Sequence, residues 1–182
     1  MSCPIVLAAS RDGCKTQGGI SGLYIIDKAA RTDTDVTVVN NNGDCEITLV
    51  GTPVPAYHII LRQDSATLTT PATDDNAAGT SFVTQTLEVN FRQYTAALVY
   101  LQDQLRKGRL EILVEFRSGT YVYLGIEEAG MQTNGGDAGF SGTAIGDGQG
   151  ATVTLTGDSI LGAPVLANFA DFQTAFAISE PA

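Results

Sequence analysis

Hydrophobic and polar residues alternate along residues 81–91, SFVTQTLEVNF. One face of this segment carries Val83, Gln85, Leu87, Val89 and Phe91, and the other carries Phe82, Thr84, Thr86, Glu88 and Asn90. A period of two is typical of a β-strand with one face on a core and the other toward water. The pattern therefore predicts a long, half-buried strand.

The period changes in the next segment, QYTAALVYLQDQLRKG. Its apolar residues follow helical spacing and form a single stripe: Tyr94, Ala97, Leu98, Leu101 and Leu105. Arg106 and Lys107 suit the negative end of a helix dipole, and Gly108 is typical of the position just beyond a helix C-terminus. The spacing predicts one α-helix at about residues 93–107.

A β-hairpin follows the helix, and the hydrophobic pattern selects its register. With Ser118-Gly119 as a two-residue loop, Phe116 would oppose Tyr121 and the apolar faces of the two strands would not match. A three-residue loop, 117–119, with Gly119 in the left-handed conformation shifts the pairing by one residue. Because a slip of one residue turns every side chain to the other face, the pattern favours the three-residue loop. The same register places Arg109 opposite Glu127.

The rest of the chain shows weaker β patterns. GGISGLYIID, DVTVV, CEITLV and AYHIILRQ each read as a strand, and ATVTLTG reads as a short closing strand. ATLTTPATDDNAAG is interpreted as a loop or polar excursion, and residues 127–150 are too rich in glycine to form a core element. The sequence therefore predicts a mostly β protein.

Length and composition favour one soluble domain. A chain of 182 residues can bury a single core, and no linker divides it. No apolar run is long enough for a membrane span, and no signal peptide is visible, so synthesis in the cytosol is expected. Cys3, Cys14 and Cys45 are an odd number without a close pair, which favours free thiols. Residues 1–162 are expected to form the domain, and 163–182 a C-terminal arm or short helix.

The net charge of −10 is unevenly placed. All ten lysines and arginines lie at or before Arg117, whereas seven acidic residues follow it. Because binding to the phosphate backbone requires lysine and arginine, the C-terminal part of the chain is not expected to clamp nucleic acid. The negative charge either serves solubility alone or forms an acidic surface along which nucleic acid moves without binding.

Candidate catalytic and binding motifs fail on their spacing. Residues 146–150, GDGQG, lack the glycine spacing and the lysine of phosphate loops and the acidic ligands of a calcium loop. Residues 139–143, GFSGT, end in Thr143 where a nucleophile elbow has glycine. His58 is the single histidine and is interpreted as a satisfied strand residue. Glu127 and Glu128 point to opposite faces if they lie on a strand, so no acid/base pair is expected. The sequence predicts neither an enzyme nor a cofactor or metal site.

Two segments resemble tail tube (major tail) proteins of tailed bacteriophages that infect Bacteroidetes-type hosts. Residues 109–157 share a strand, a short turn, an aromatic strand ending in Leu124-Gly125, a glycine-rich loop, Gly146-Asp147-x-x-Gly150 and a closing strand. Residues 14–27, CKTQGGISGLYIID, are similar to that family's cysteine, Gly-Gly-Ile and apolar strand. The resemblance implies an antiparallel β-sandwich or barrel with one flanking helix.

The resemblance also implies a function in assembly. Subunits of this family form rings, usually hexameric, that stack into a hollow tail tube in the virion. The resemblance implies that the chain's partners are further copies of itself and other virion tail proteins. DNA is expected to pass through an acidic lumen without specific binding, and no membrane partner is expected. We expect the strands at 81–91 and 109–127 to pair between subunits, because neither contains a protective proline. Candidates to line the lumen are Glu88, Glu111, Glu115 and Glu127, and the alternative for each is an outer solvated face.

The C-terminal segment NFADFQTAFAIS has a short aromatic stripe. Phe169, Phe172 and Phe176 lie at the spacing of a helix or arm. They are candidates for an arm that docks on the next subunit or ring, and the alternative is packing on the chain's own core.

Two other functional classes remain open. A capsid decoration or head–tail joining protein would share the acidic, β-rich character but form closed oligomers or bind a preformed shell. A carbohydrate-binding or adhesive module needs exposed aromatic residues on one sheet. Tyr121 and Tyr123 are a weak version of that surface, and tryptophan is absent.

Overall fold

The chain is mainly β, as predicted. A computed structural model describes residues 18–31, 36–41, 43–62, 65–75, 80–91, 95–127, 129–133, 138–141, 149–160 and 162–179. The strands in these ranges are β1 (Ile20–Asp27), β2 (Val36–Asn41), β3 (Asp44–Leu49), β4 (Val54–Ile60), β5 (Ala66–Thr69), β6 (Ala72–Asp75), β7 (Thr80–Phe91), β8 (Leu110–Phe116), β9 (Tyr121–Leu124), β10 (Gln132–Thr133), β11 (Ala138–Ser141), β12 (Gln149–Ser159), β13 (Val165–Leu166) and β14 (Phe176–Ser179). The helices are α1 (Ala96–Lys107) and α2 (Phe169–Ala175).

The described strands form two sheets. The large sheet has the order β14-β4-β1-β8-β9-β13-β3-β2, and all its neighbours are antiparallel except the pairs β14–β4 and β13–β3. The small sheet has the order β10-β12-β7-β5, with β11 also on β12 and β6 also on β7. Strands β7 and β8 are therefore interior strands. The expectation that they pair between subunits is wrong, because both of their edges are already used within the chain.

Strands β5 and β6 replace the loop expected over residues 66–79. Ala66 pairs with Val89 and Ala72 pairs with Val83, so both strands follow one register along β7. Pro71 lies between them and cannot donate a ladder hydrogen bond, but its carbonyl accepts one from the Thr84 amide at 3.0 Å. The loop interpretation is therefore wrong for residues 66–69 and 72–75, while 76–79 lie outside the described residues.

The hairpin adopts the predicted register. Glu115 pairs with Tyr121 and Val114 with Val122, and Gly119 has a φ of +82°. The Phe116 amide donates to the Thr120 carbonyl at 2.9 Å, as a three-residue loop requires. The ladder ends at the pair of Ile112 and Leu124, because Leu110 pairs with Met131 instead. The predicted pairing of Arg109 with Glu127 is therefore not formed.

Helix α1 lies where its apolar stripe predicted it. It begins after Thr95, whose side chain accepts a hydrogen bond from the Leu98 amide at 3.2 Å. Leu98 and Leu105 are buried. Gly108 follows the helix in an extended conformation, with a φ of −97°, so it is not the left-handed residue that often ends a helix.

Two hydrophobic cores lie on opposite faces of the large sheet. The first core fills the space between the two sheets under α1, and includes Leu87, Ile112 and Val153. The second core covers the other face of the large sheet beneath α2, and includes Leu113, Tyr123 and Phe172. Because both faces of β8 are covered, its five residues from Leu110 to Val114 are all buried.

The C-terminal segment belongs to the domain in its described part. Strand β13 lies between β9 and β3, and β14 extends the large sheet beside β4. Between them, α2 supplies Phe172 and Ala175 to the second core. The predicted short helix is present, but the boundary at residue 162 does not separate an arm from the domain.

Candidate functional surfaces

Glu111 lies at the centre of a buried ionic cluster. Its side chain is 0% exposed, although it was expected to line a lumen. The Glu111 carboxylate is 2.7 Å from Lys28 Nζ and 2.8 Å from Arg31 Nε, and it accepts a hydrogen bond from the Tyr123 hydroxyl at 2.8 Å. Burial of a charge is tolerated only when it is paired and hydrogen-bonded, and this cluster meets that condition. The lumen assignment of Glu111 is therefore wrong.

The cluster also fixes the turn that follows β9. Lys28 Nζ donates to the carbonyls of Gly125 and Ile126 at 3.2 Å and 2.8 Å. Gly125 has a φ of +76°, and a Cβ there would lie 2.6 Å from the Leu110 carbonyl oxygen. A side chain at this position would thus meet both strain and a backbone clash. The ionic cluster and the glycine together hold the chain where it leaves the hairpin.

Glu115 lies on the same face of the large sheet, in a partly exposed aromatic site. Its carboxylate is 3.9 Å from His58 Nε2, and it hydrogen-bonds the side chain of Tyr121. Burial, followed by the nearby Glu115 charge, raises the pKa of Tyr121. Gly22 makes room for the site, because a Cβ there would lie 2.9 Å from His58 Nε2. The His58 ring stacks on Tyr24 at 4.3 Å, which agrees with its interpretation as a satisfied strand residue.

The four glutamates expected to line one lumen do not share a surface. Glu111 and Glu115 face the second core, and half-buried Glu127 lies in the turn beyond β9. Glu88 is exposed on the outer face of the small sheet, opposite Thr154 and Thr67. Burial excludes Glu111 from a channel wall, whereas a place there for Glu88, Glu115 or Glu127 stays a prediction, and no single surface carries all three.

The outer face of the small sheet is hydroxyl-rich, and its described residues include no cation. Rows of threonine cross its strands: Thr69, Thr86 and Thr156 in one row, and Thr67 and Thr154 flanking Glu88 in the next. Asp158 lies on the same face and accepts a hydrogen bond from Thr84 Oγ1 at 2.9 Å. Among the described residues, no lysine or arginine occurs on the six strands of this sheet. The described residues of this face are therefore either negatively charged or neutral, so they do not attract a polyanion such as DNA.

The aromatic residues of the C-terminal segment pack within their own chain. Phe172 and Phe176 are fully buried, with ring centroids 4.6 Å apart, and Phe169 stacks on Tyr121 at 4.3 Å. The proposal of an inter-subunit arm is therefore wrong for Phe169, Phe172 and Phe176. The carbohydrate interpretation also loses its surface, because Tyr123 is buried and Tyr121 lies beneath Phe169.

An open groove of about 520 Å³ lies between α1 and the strands β1 and β4 of the large sheet. Its walls are mostly apolar and come from β1, β4 and α1, with Ile25, Pro55 and Leu101 among them. Two aromatic side chains on its rim are exposed: Tyr57 is 57% exposed and Tyr100 is 67% exposed. Exposed aromatic groups beside an apolar groove are typical of an interaction surface.

Cys45 is the one described cysteine, and it is a free thiol, as expected. Burial, and then the charges of Glu111 and Glu46, raise its pKa to about 12. A raised pKa keeps the thiol protonated and makes it a poor nucleophile. Cys3 and Cys14 lie outside the described residues.

Alkaline unfolding tests this buried thiol. The folded state holds the Cys45 proton to about pH 12, whereas the unfolded thiol releases it near pH 9. The thiol's contribution to the free energy of unfolding is therefore complete below about pH 9 and is lost as the pH rises toward 12, at about 1.4 kcal/mol per pH unit. In urea titrations, the free energy of unfolding of Cys45→Ala should fall less steeply between pH 9 and 12 than that of the wild type. Equal slopes for both proteins would contradict the assigned pKa.

In the part of the chain that the structure describes, no group of three or more histidine, cysteine, aspartate or glutamate residues could hold a metal ion. Residues 146–148 of the motif at 146–150, residues 142–143 and Glu128 lie outside the described residues.

No helix within the described ranges is long and apolar enough to cross a membrane. Comparison of the chain with protein-family models, curated proteins and solved structures gave no match.

Proposed function

We propose that this chain is a structural subunit of a phage virion that assembles into stacked rings forming a hollow tail tube. DNA passes through the lumen without specific binding, and the chain performs no catalysis. The observation that carries the proposal is the outer face of the small sheet, which is broad, hydroxyl-rich, acidic and free of described cations. This surface fits a channel wall past which a polyanion must slide.

The arrangement of the two sheets supports the same proposal. The large sheet spans eight strand positions in the described residues, whereas the small sheet spans four, because β10 and β11 share one side of β12 and β5 and β6 share one side of β7. A subunit that narrows from one sheet to the other fits a closed ring when the narrower sheet faces inward. The small sheet then lines the lumen and the large sheet forms the outer wall. The resemblance of residues 109–157 to tail tube proteins points to the same class.

Self-association is the first test of the proposal. Sedimentation velocity of the purified chain at micromolar concentration, across a range of salt, should show species much larger than a monomer. A closed oligomer of one size that never extends would favour a capsid decoration or head–tail joining protein. A monomer under all conditions would contradict both assembly functions.

A charge substitution tests which surface lines the lumen. Glu88→Lys should leave the fold intact, because Glu88 is exposed, and each ring would gain one new cation per subunit. Assembled Glu88→Lys tubes should therefore bind short duplex DNA at low salt and release it as salt rises, while wild-type tubes bind none. Asp103→Lys makes the same charge change on exposed α1 and is the matched control. DNA binding that is negligible for Glu88→Lys tubes, or equal for both variants, would contradict the assignment of the small sheet to the lumen.

A further inference from the structure

We infer that neighbouring subunits join head to tail, with β2 of one copy pairing to β14 of the next. These strands are the two edges of the large sheet in the described part of the chain. The inference rests on the proposed assembly function and names the surfaces that perform it. The partner is a second copy of this chain.

The composition of the edge strands favours the large sheet as the site of pairing. Strand β2, VTVVNN, and strand β14, FAIS, contain no charged residue and no proline. The small sheet has divided edges: β5 and β6 share one edge, where Pro71 separates them and β6 carries Asp74 and Asp75, and β10 and β11 share the other. Charges, proline and short strands are the features that block pairing at an edge. In the described residues, each edge of the large sheet is instead a single uninterrupted strand.

The direction of the strands is compatible with pairing around a ring. Following the ladders across the large sheet, β14 and β2 run in opposite directions. A rotation about an axis nearly parallel to the strands keeps the direction of each strand from one copy to the next. Strand β2 of one copy therefore meets β14 of its neighbour as an antiparallel pair. A β2–β14 contact is heterologous, as a ring requires.

The two faces of the edge strands also match. Val38 on β2 and Ile178 on β14 both pack against the second core but are only partly buried, so this core is open at both edges. Pairing would bring these open ends of the core together and shield both side chains. On the opposite face of the sheet, Val39 is 49% exposed. Pairing of β2 with β14 would place Val39 on the same face as Ala177 of β14 and its partner Pro55 of β4.

The groove beside α1 lies on the face of the large sheet that is opposite the second core, which is also the face that carries Val39. Tyr57 lies on β4 directly beside Ser179 of β14, and its side chain forms part of the groove wall with Tyr100. A β2 strand added to β14 would place Val39 on the groove side of the sheet. The exposed aromatic side chains then border the interface, which accounts for their position next to an open sheet edge.

Disulfide cross-linking tests the pairing directly. In a background with Cys3→Ser and Cys14→Ser, and with buried Cys45 retained, two double variants place thiols on the same face of both edges: Val39→Cys with Ala177→Cys, and Val39→Cys with Ser179→Cys. Opposed residues of an antiparallel pair have Cα atoms close enough for a disulfide. At least one double variant should give a ladder of covalent oligomers on mild oxidation. Val39→Cys alone should give none, and a mixture of single variants should give dimers only.

Different failures have different meanings. Efficient dimers from Val39→Cys alone would indicate a two-fold β2–β2 contact and overturn the head-to-tail pairing. Tubes that form without any cross-link would overturn the pairing but leave the proposed function standing. Sedimentation as a monomer under all conditions would overturn both.

A matched lysine pair provides a second, independent readout. Val39→Lys places a charge on the β2 edge, whereas Val165→Lys places it on β13, an interior strand of the same sheet, where Val165 is 40% exposed. Both variants should keep the wild-type circular dichroism spectrum. Val39→Lys should lose assembly, and Val165→Lys should keep it. Assembly of Val39→Lys at the wild-type concentration would contradict the inferred pairing.

Discussion

Replacing Glu111 with glutamine is expected to lower the free energy of unfolding by about 3–5 kcal/mol, which is the usual cost of removing one partner from a buried ion pair. The carboxylate balances Lys28 and Arg31, whose side chains are only 14% and 9% exposed. Glutamine keeps the size of the side chain and can still accept the Tyr123 hydrogen bond, so the loss reports the missing charge. Because small domains are stable by only about 5–15 kcal/mol, the effect should be large in urea unfolding.

Glu88→Gln is the matched control for this substitution. It removes the same charge from an exposed strand position and should change the free energy of unfolding by no more than about 0.5 kcal/mol. Replacing Glu111, Lys28 and Arg31 together with apolar residues should recover much of the lost stability, because no buried charge is then left unpaired. Equal stability of Glu88→Gln and Glu111→Gln would contradict the buried cluster.

Phe172→Ala is expected to destabilise the chain by about 3–5 kcal/mol, as for other buried aromatic residues. The ring is 0% exposed and contacts the rings of Tyr24, Phe169 and Phe176, so truncation leaves a cavity in the second core. Phe82→Ala, at a ring that is 37% exposed on the small sheet, should cost much less. The measurement is the urea midpoint of each variant at a concentration where the chain is monomeric. A Phe172→Ala protein with wild-type stability but impaired assembly would restore the arm interpretation.

Local periodicity was sufficient to predict several elements. The alternation over residues 81–91 gave β7 and its buried face, because Gln85, Leu87 and Val89 are all buried. The hairpin register followed from matching apolar faces, and Gly119 has the left-handed conformation that the three-residue loop needs. The helical stripe predicted α1. In each case, neighbouring residues in the sequence carry the information.

The errors came from contacts between distant segments. Period-two reasoning predicts a solvated polar face for β8, because it assumes that one face of a strand meets water. Lys28 and Arg31, which pair with Glu111, lie some 80 residues earlier, and α2, which covers that face, lies far later. Leu113 and Tyr123 on the supposedly polar face were a signal of a second core. Strands β5 and β6 are not predicted for a similar reason. Their threonine and alanine residues show little alternation of their own, and they form strands because they pair with β7.

Electron microscopy of the purified chain, negatively stained at assembling concentration, should show directly whether it builds tubes. We expect long tubes of uniform outer diameter with a stain-filled central channel and a regular axial repeat from stacked rings. Monomers, or closed particles that never extend into tubes, would contradict the proposal that this chain builds a hollow tail tube.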